Sequence, residues 1–185
     1  VRAVIPITIR DQRLGLICNP EAGSNRRDIK SIREVVRTLP HTLYEEAVRP
    51  AEIAAAIDVM AAADIDLLAI NGGDGTIHMA LTHLLNRRSF RRLPRLLLIP
   101  GGTTNMTAHD LGISGRPLRI LRRLHHYLDG SNPFMSHRRP VLRVDYGAGE
   151  PLYGMFFGNG VIASGVDYFD NRVRRFGLIG EKASV

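Results

Sequence analysis

Residues 66–85 read "DLLAINGGDGTIHMALTHLL". The segment opens on a short apolar run, "DLLAI", with the length and composition of a buried strand. It breaks at "NGGDGT" (71–76). Ile77, Ala80, Leu81, Leu84 and Leu85 then recur at the i, i+3, i+4, i+7, i+8 spacing of one helix face. Strand, turn and helix in this order begin a βαβ unit. The turn sets three glycines around one carboxylate, Asp74. Glycine loses more conformational freedom on folding than any other residue, so something must approach this backbone closely.

The same pattern extends to both sides. Upstream, "RLGLICNP" is an apolar run stopped by Asn-Pro. A helix follows, with Ile29, Ile32, Val36 and Leu39 on one face and Ser24 or Asn25 at its cap. "TLYEEAV" reads as a strand, and "PAEIAAAIDVMAAA" as a helix opened by proline with Ile53, Ile57 and Met60 aligned. Downstream, "PRLLLIP" is a fourth strand. "GGTTN", a short helical segment to Leu111 and a helix opened by Pro117 come next. Residues 1–9 contain Pro6, which suits an edge strand or a tail. Strands without polar alternation, separated by helices of this length, predict an α/β fold with a parallel sheet covered on both faces.

The texture changes after the turn-rich "DGSNPF" (129–134). Leu142, Val144 and Tyr146 alternate with Arg143 and Asp145, a Gly/Pro-rich turn follows, and another apolar run comes after it. That is a hairpin pattern. It divides the chain into an α/β domain over 10–135 and the start of a β-rich domain over 136–185. The second stretch is too short to bury a core of its own.

Composition limits the function classes. The chain has 185 residues, 44% of them hydrophobic, and no apolar run long enough to cross a membrane. One cysteine, Cys18, excludes an intrachain disulfide framework and fits a reduced, cytoplasmic setting as a buried thiol. The net charge is +7, nearly all of it arginine. Such a surface attracts phosphates and acidic headgroups. Nucleic acid is disfavoured, because there is no tryptophan and few other aromatics to stack on bases.

Turns after parallel strands emerge at the carboxyl edge of the sheet, where open α/β sheets bind ligands. Three of them have special composition: "NPEAGSN" (19–25), "NGGDGT" (71–76) and "PGGTTN" (100–105). Each precedes a helix, whose first N–H groups suit an anion, and glycine there allows close approach or positive φ. The P-loop pattern, the dinucleotide fingerprint at the first turn and protein-kinase signatures are all absent. His78 and His83 read as surface or packing residues. Asp74 could hold Mg²⁺ beside a phosphate, take the proton of an attacking hydroxyl, or cap the helix it precedes. Thr76, Thr103, Thr104 and Asn105 can donate to phosphate or ribose oxygens, or act as caps.

With these residues in view, the chain resembles the catalytic domain of diacylglycerol kinases, sphingosine and ceramide kinases and bacterial lipid kinases. That family carries an Asn-Pro-x-x-Gly turn, then Gly-Gly-Asp-Gly-Thr, then Pro-x-Gly-Thr-x-Asn. Here these are "NPEAG", "GGDGT" and "PGGTTN", in that order, within a likeness spanning roughly 14–170. The resemblance implies a phosphofructokinase-like, Rossmann-like nucleotide domain, followed by a β-sandwich domain on the lipid side of the cleft. It implies ATP and Mg²⁺, phosphate transfer to a lipid hydroxyl such as that of diacylglycerol, and a cytoplasmic protein peripheral to a membrane.

Site by site, the resemblance places Asn19 and Gly23 near the nucleotide. Gly72, Gly73, Asp74, Gly75 and Thr76 hold phosphates and assist transfer, with Asp74 catalytic. Gly102, Thr103 and Asn105 complete the nucleotide pocket. In "GNGVIASGVDYF" (158–169), Gly165 and Asp167 match a family segment whose acidic residue lies near the lipid hydroxyl. Thr104 and Met106 depart from the usual Thr-Gly-Asn-Asp, and the family's second domain runs past the equivalent of Val185 with further acidic residues. NAD kinases share "GGDGT" but carry a later Leu-Gly-Phe element that this sequence lacks. Besides a NAD kinase-like enzyme, the alternative is a non-catalytic nucleotide- or lipid-sensing module.

Overall fold

The computed structural model of the chain describes residues 5–7, 13–128, 134–147 and 149–156. Its centre is a four-stranded, wholly parallel sheet built from β2 (Leu14–Cys18), β3 (Thr42–Glu46), β4 (Leu67–Gly72) and β5 (Arg95–Pro100), in the order β3-β2-β4-β5. The linking helices are α1 (Asn25–Arg37), α2 (Pro50–Ala62) and α3 (Asp74–Arg87). The short α4 (Met106–Asp110) and α5 (Pro117–Leu128) follow β5. The fold class expected from the sequence is the one observed.

The period of two in the strands sorts their side chains between two cores. Ile17, Leu68, Ile70 and Leu98 face α2 and α3, where they meet Ile53, Ile57, Met60, Ile77 and Leu84. Leu14, Leu16, Cys18, Leu67, Ala69 and Ile99 face α1 and α5, against Ile32, Val36, Leu121 and Leu124. The central strands β2 and β4 are buried throughout, which explains their lack of polar alternation. Cys18 lies inside the second core, and burial pushes its thiol up to about 11. It is a structural thiol.

Two antiparallel pairs complete the described residues. β1 (Ile5–Ile7) pairs with β6 (Phe134–Ser136), so the proline-containing segment is a paired strand. β7 (Leu142–Val144) and β8 (Leu152–Gly154) form the expected hairpin, which packs against α3.

The strand order fixes where a ligand can enter. From β2 the chain steps outward to β3, then returns across β2 to β4. The crevice between the carboxyl ends of β2 and β4 is therefore the topological switch point, where open sheets bind ligands. The first two glycine-bearing turns leave from these two strands.

Candidate functional site

The three turns are bonded to one another. From the first turn, the Asn19 N–H donates to the Asn71 carbonyl at 2.8 Å and its side-chain Nδ2 to Thr76 Oγ1 at 3.1 Å. The Ser24 N–H reaches the Gly101 carbonyl at 2.8 Å. The Gly101 N–H in turn donates to the Gly72 carbonyl at 3.0 Å. Asn25 sits beneath them, fully buried, with Nδ2 donating to the carbonyls of Asn19 (2.8 Å) and Asn71 (3.2 Å). The side-chain oxygens of Asn25 and Asn71 have no hydrogen-bond partner among the described residues, and both face Gly101.

What crowds most of the glycines is the neighbouring turn. A Cβ on Gly102 would lie 2.5 Å from the Gly73 Cα, and one on Gly73 would lie 3.2 Å from the Gly102 Cα. On Gly72 it would strike the Thr76 side chain at 2.6 Å, and on Gly23 the Thr103 hydroxyl at 2.8 Å. Gly75 differs: nothing lies within 4 Å of its missing side chain, and it sits exposed in the first turn of α3. Among all the turn glycines, it opens the most room at a helix start.

The structure decides three local points that the sequence leaves open. None of these glycines uses positive φ; the left-handed position is Asn105, with φ 53°. Its side chain stabilises that conformation by bonding Gly102 both ways, accepting from the N–H at 2.7 Å and donating to the carbonyl at 2.9 Å. Asp74 does not cap its own helix, because Gly73 holds that position. Instead its carboxylate accepts the N–H groups of Met106 (3.0 Å) and Thr107 (2.8 Å), the open end of α4. Ser24 stands at the cap of α1, but its hydroxyl crosses to the Gly102 carbonyl at 3.2 Å.

The structure thus gathers Asn19, Gly23, Gly72, Gly73, Asp74, Gly75, Thr76, Gly102, Thr103 and Asn105 at one sheet edge. Thr104 and Met106 are exposed beside them. Gly165 and Asp167 lie outside the described residues. Sequence reading passed over Asn71 and Gly101, and took Asn25 only for a cap. The one available signal was that Asn71 and Gly101 stand inside the same glycine-rich turns. Among the described residues no group of three or more His, Cys, Asp or Glu side chains could hold a metal by itself. His78 and His83 bond the Tyr153 carbonyl and Asp58, as packing residues do.

A parallel α/β domain with a glycine-built cradle at its switch point is one class of ligand-binding domain, and comparison with known proteins narrows it. The diacylglycerol kinase catalytic domain model matches residues 13–130, more than half of the chain, and the chain belongs to that family. A solved protein of Bacillus anthracis str. Sterne, described as a candidate diacylglycerol kinase, is similar at 23% identity and TM-score 0.51, over 62% of this chain and 39% of that one. Another from the same organism, described likewise, gives 22% and 0.50, over 62% and 41%. At these identities the likeness is one of fold. The chain spans about two fifths of the length of these structures. No curated protein matches it. No helix among the described residues is long and apolar enough to cross a membrane.

Proposed function

We propose that the chain is the nucleotide-binding part of an ATP-dependent lipid kinase that transfers the γ-phosphate to a lipid hydroxyl such as that of diacylglycerol. The observation that carries the reading is the open space over Gly75. There the free N–H groups at the start of α3 meet a turn assembly whose other glycines are filled by protein. A polyphosphate fits this place by charge and by shape. Asn19, Gly23, Thr76, Gly102, Thr103 and Asn105 line the nucleotide side.

Transfer forms a bond from the lipid oxygen to the γ-phosphorus and breaks the bond to the β-phosphate oxygen, releasing ADP. The hydroxyl proton passes to a carboxylate, Asp74 or Asp167. Each Asp74 oxygen accepts one main-chain N–H and keeps a lone pair for a second partner. Asp74 and the phosphate oxygens together suit Mg²⁺, which favours a mixed shell of carboxylate, phosphate and water. The ion would neutralise phosphate charge during transfer.

The lipid side belongs to the β-rich region that begins near residue 136. An acidic membrane surface fits the cations of α1 (Arg26, Arg27, Lys30, Arg37) and α5 (Arg119, Arg122, Arg123). None of these forms an ion pair among the described residues. Binding to vesicles containing phosphatidylglycerol should weaken as salt rises; salt-insensitive binding contradicts this part.

The test of the site is Gly75→Ala. In a helix the change is neutral or stabilising by up to about 1 kcal/mol, so melting should not fall. Mg·ATP binding measured by calorimetry should weaken by about tenfold or more, because the methyl takes up phosphate space. Unchanged affinity would move the nucleotide elsewhere. ADP release with diacylglycerol vesicles, measured on the full-length protein, then separates a kinase from a nucleotide-binding module without turnover.

A further inference from the structure

Flanking its apolar face, α3 carries a half-buried polar stripe of His78, Thr82 and Asn86, spaced i, i+4, i+8. All three bond the main chain of one short segment, the strand β8 and the residue just before it. His78 Nδ1 lies 2.9 Å from the Tyr153 carbonyl. Thr82 Oγ1 accepts the Tyr153 N–H at 3.0 Å and donates to the Tyr153 carbonyl at 3.3 Å. Asn86 Nδ2 donates to the Pro151 carbonyl at 2.9 Å. Side chains of a helix thus do what a neighbouring strand would do for this edge of β8. A second tie joins the same region to α4: the Arg139 guanidinium pairs with the Asp110 carboxylate and donates to its carbonyl at 3.1 Å.

Both anchoring helices begin at the candidate phosphate site. α3 starts at Asp74 and α4 at Met106, and the Asp74 carboxylate joins the two starts. Val141, Tyr153 and Met155 already pack on the core beneath α3. Apolar packing alone is non-directional and tolerates sliding, whereas paired N–H and C=O contacts fix one register.

We infer that His78, Thr82 and Asn86 are positioning residues that set the β-rich region, and the acceptor it carries, at a fixed distance from the phosphate held at the start of α3. The inference rests on the lipid-kinase reading above. The lever is a rigid helix: Asp74 to Asn86 spans about 18 Å at 1.5 Å per residue. Acceptor misplacement of about 1 Å can cost about a hundredfold in rate.

The test uses the full-length protein with Mg·ATP and diacylglycerol in mixed micelles. Thr82→Val keeps the shape and removes both hydroxyl bonds, while Thr82→Ser keeps the hydroxyl. Thr82→Val should lower kcat by about tenfold or more and leave KM for ATP within about twofold. Hydrogen exchange at the Tyr153 amide should rise at least about tenfold, the loss of protection expected of a freed edge. Thr82→Ser should restore both. Native kcat and native exchange in Thr82→Val overturn the inference, and so does a loss that Thr82→Ser fails to rescue or that raises KM for ATP in parallel. If the native protein phosphorylates no lipid, the reading of function fails instead. The attachment is then judged by exchange alone, and unchanged exchange at Tyr153 in Thr82→Val overturns it.

Discussion

The four-stranded sheet and the β7–β8 hairpin are held in place by different physics. β2 and β4 bury every side chain between two layers of helices, and their register with neighbours is entirely parallel. The hairpin only half-buries one face, through Val141, Tyr153 and Met155. Leu142 and Leu152 remain 46% and 36% exposed on the other, and three polar side chains of α3 bond the main chain at Pro151 and Tyr153. In the sheet, stability comes from the area removed from water. In the hairpin, place is specified by direction, at little gain in stability per bond. The candidate site lies where the sheet ends, and its proposed acceptor side hangs from the hairpin's attachment. On the proposed reading, stability and alignment are assigned to different parts.

The largest effect that could break this contrast is a cavity in the sheet. Ile70 is fully buried on β4, inside the core beneath α2 and α3. Ile70→Ala should cost about 2–5 kcal/mol in a urea titration, a large share of a typical domain's stability. Leu142→Ala, on the exposed hairpin face, should stay within about 0.5 kcal/mol. Equal losses would mean that the hairpin's outer face is covered in solution, and the contrast would fall.

Next in size is an added methyl group between turns. Gly102→Ala puts Cβ against the Gly73 main chain, which cannot swing aside as a flexible side chain would. A cost of about 1–3 kcal/mol is expected from overpacking, together with weaker Mg·ATP binding as the third turn shifts from the second. Thermal melts of Gly102→Ala and Gly75→Ala should move in opposite directions or differ clearly. Identical melts would remove the distinction between glycines that serve packing and the one that leaves space.

These differences mark what could be read from the sequence. Burial leaves an apolar record, continuous in a strand covered on both faces and periodic in a helix covered on one, so Leu14–Cys18, Leu67–Gly72 and the stripe from Ile77 to Leu84 were readable as strand, strand and helix. The convergence of the three turns followed from strand direction alone. The partners of polar groups were not readable. Asp74 in a glycine-rich turn next to a helix looks like that helix's cap, yet it serves α4, 32 residues on. Thr82 looks like a neutral helix residue, yet it bonds Tyr153 across 71 positions. Hydrogen bonds over such separations depend on tertiary placement and leave no period.

The smallest effect sharpens the contrast within the sheet itself. β3 is an edge strand whose five residues are all half-buried, so here the sheet also relies on polar contacts. Glu46 accepts Arg33 Nε at 2.7 Å and Nη2 at 2.8 Å, and the Tyr44 hydroxyl at 2.7 Å. The Arg33 guanidinium chiefly, with help from Tyr44, holds the Glu46 carboxyl below its ordinary value. A depressed folded-state pKa favours folding while the carboxylate is ionised. The contribution is therefore complete above the unfolded value, near pH 4.3, and is lost as pH falls through the folded one. Glu46→Gln should lower the urea midpoint slightly and evenly from pH 8 down to about 5. Below about pH 4 the gap to the native protein should close, because protonation then does to Glu46 what the substitution did. A gap that persists into acid would show that Glu46 acts by packing, which would return this edge to the apolar regime of the strands beside it.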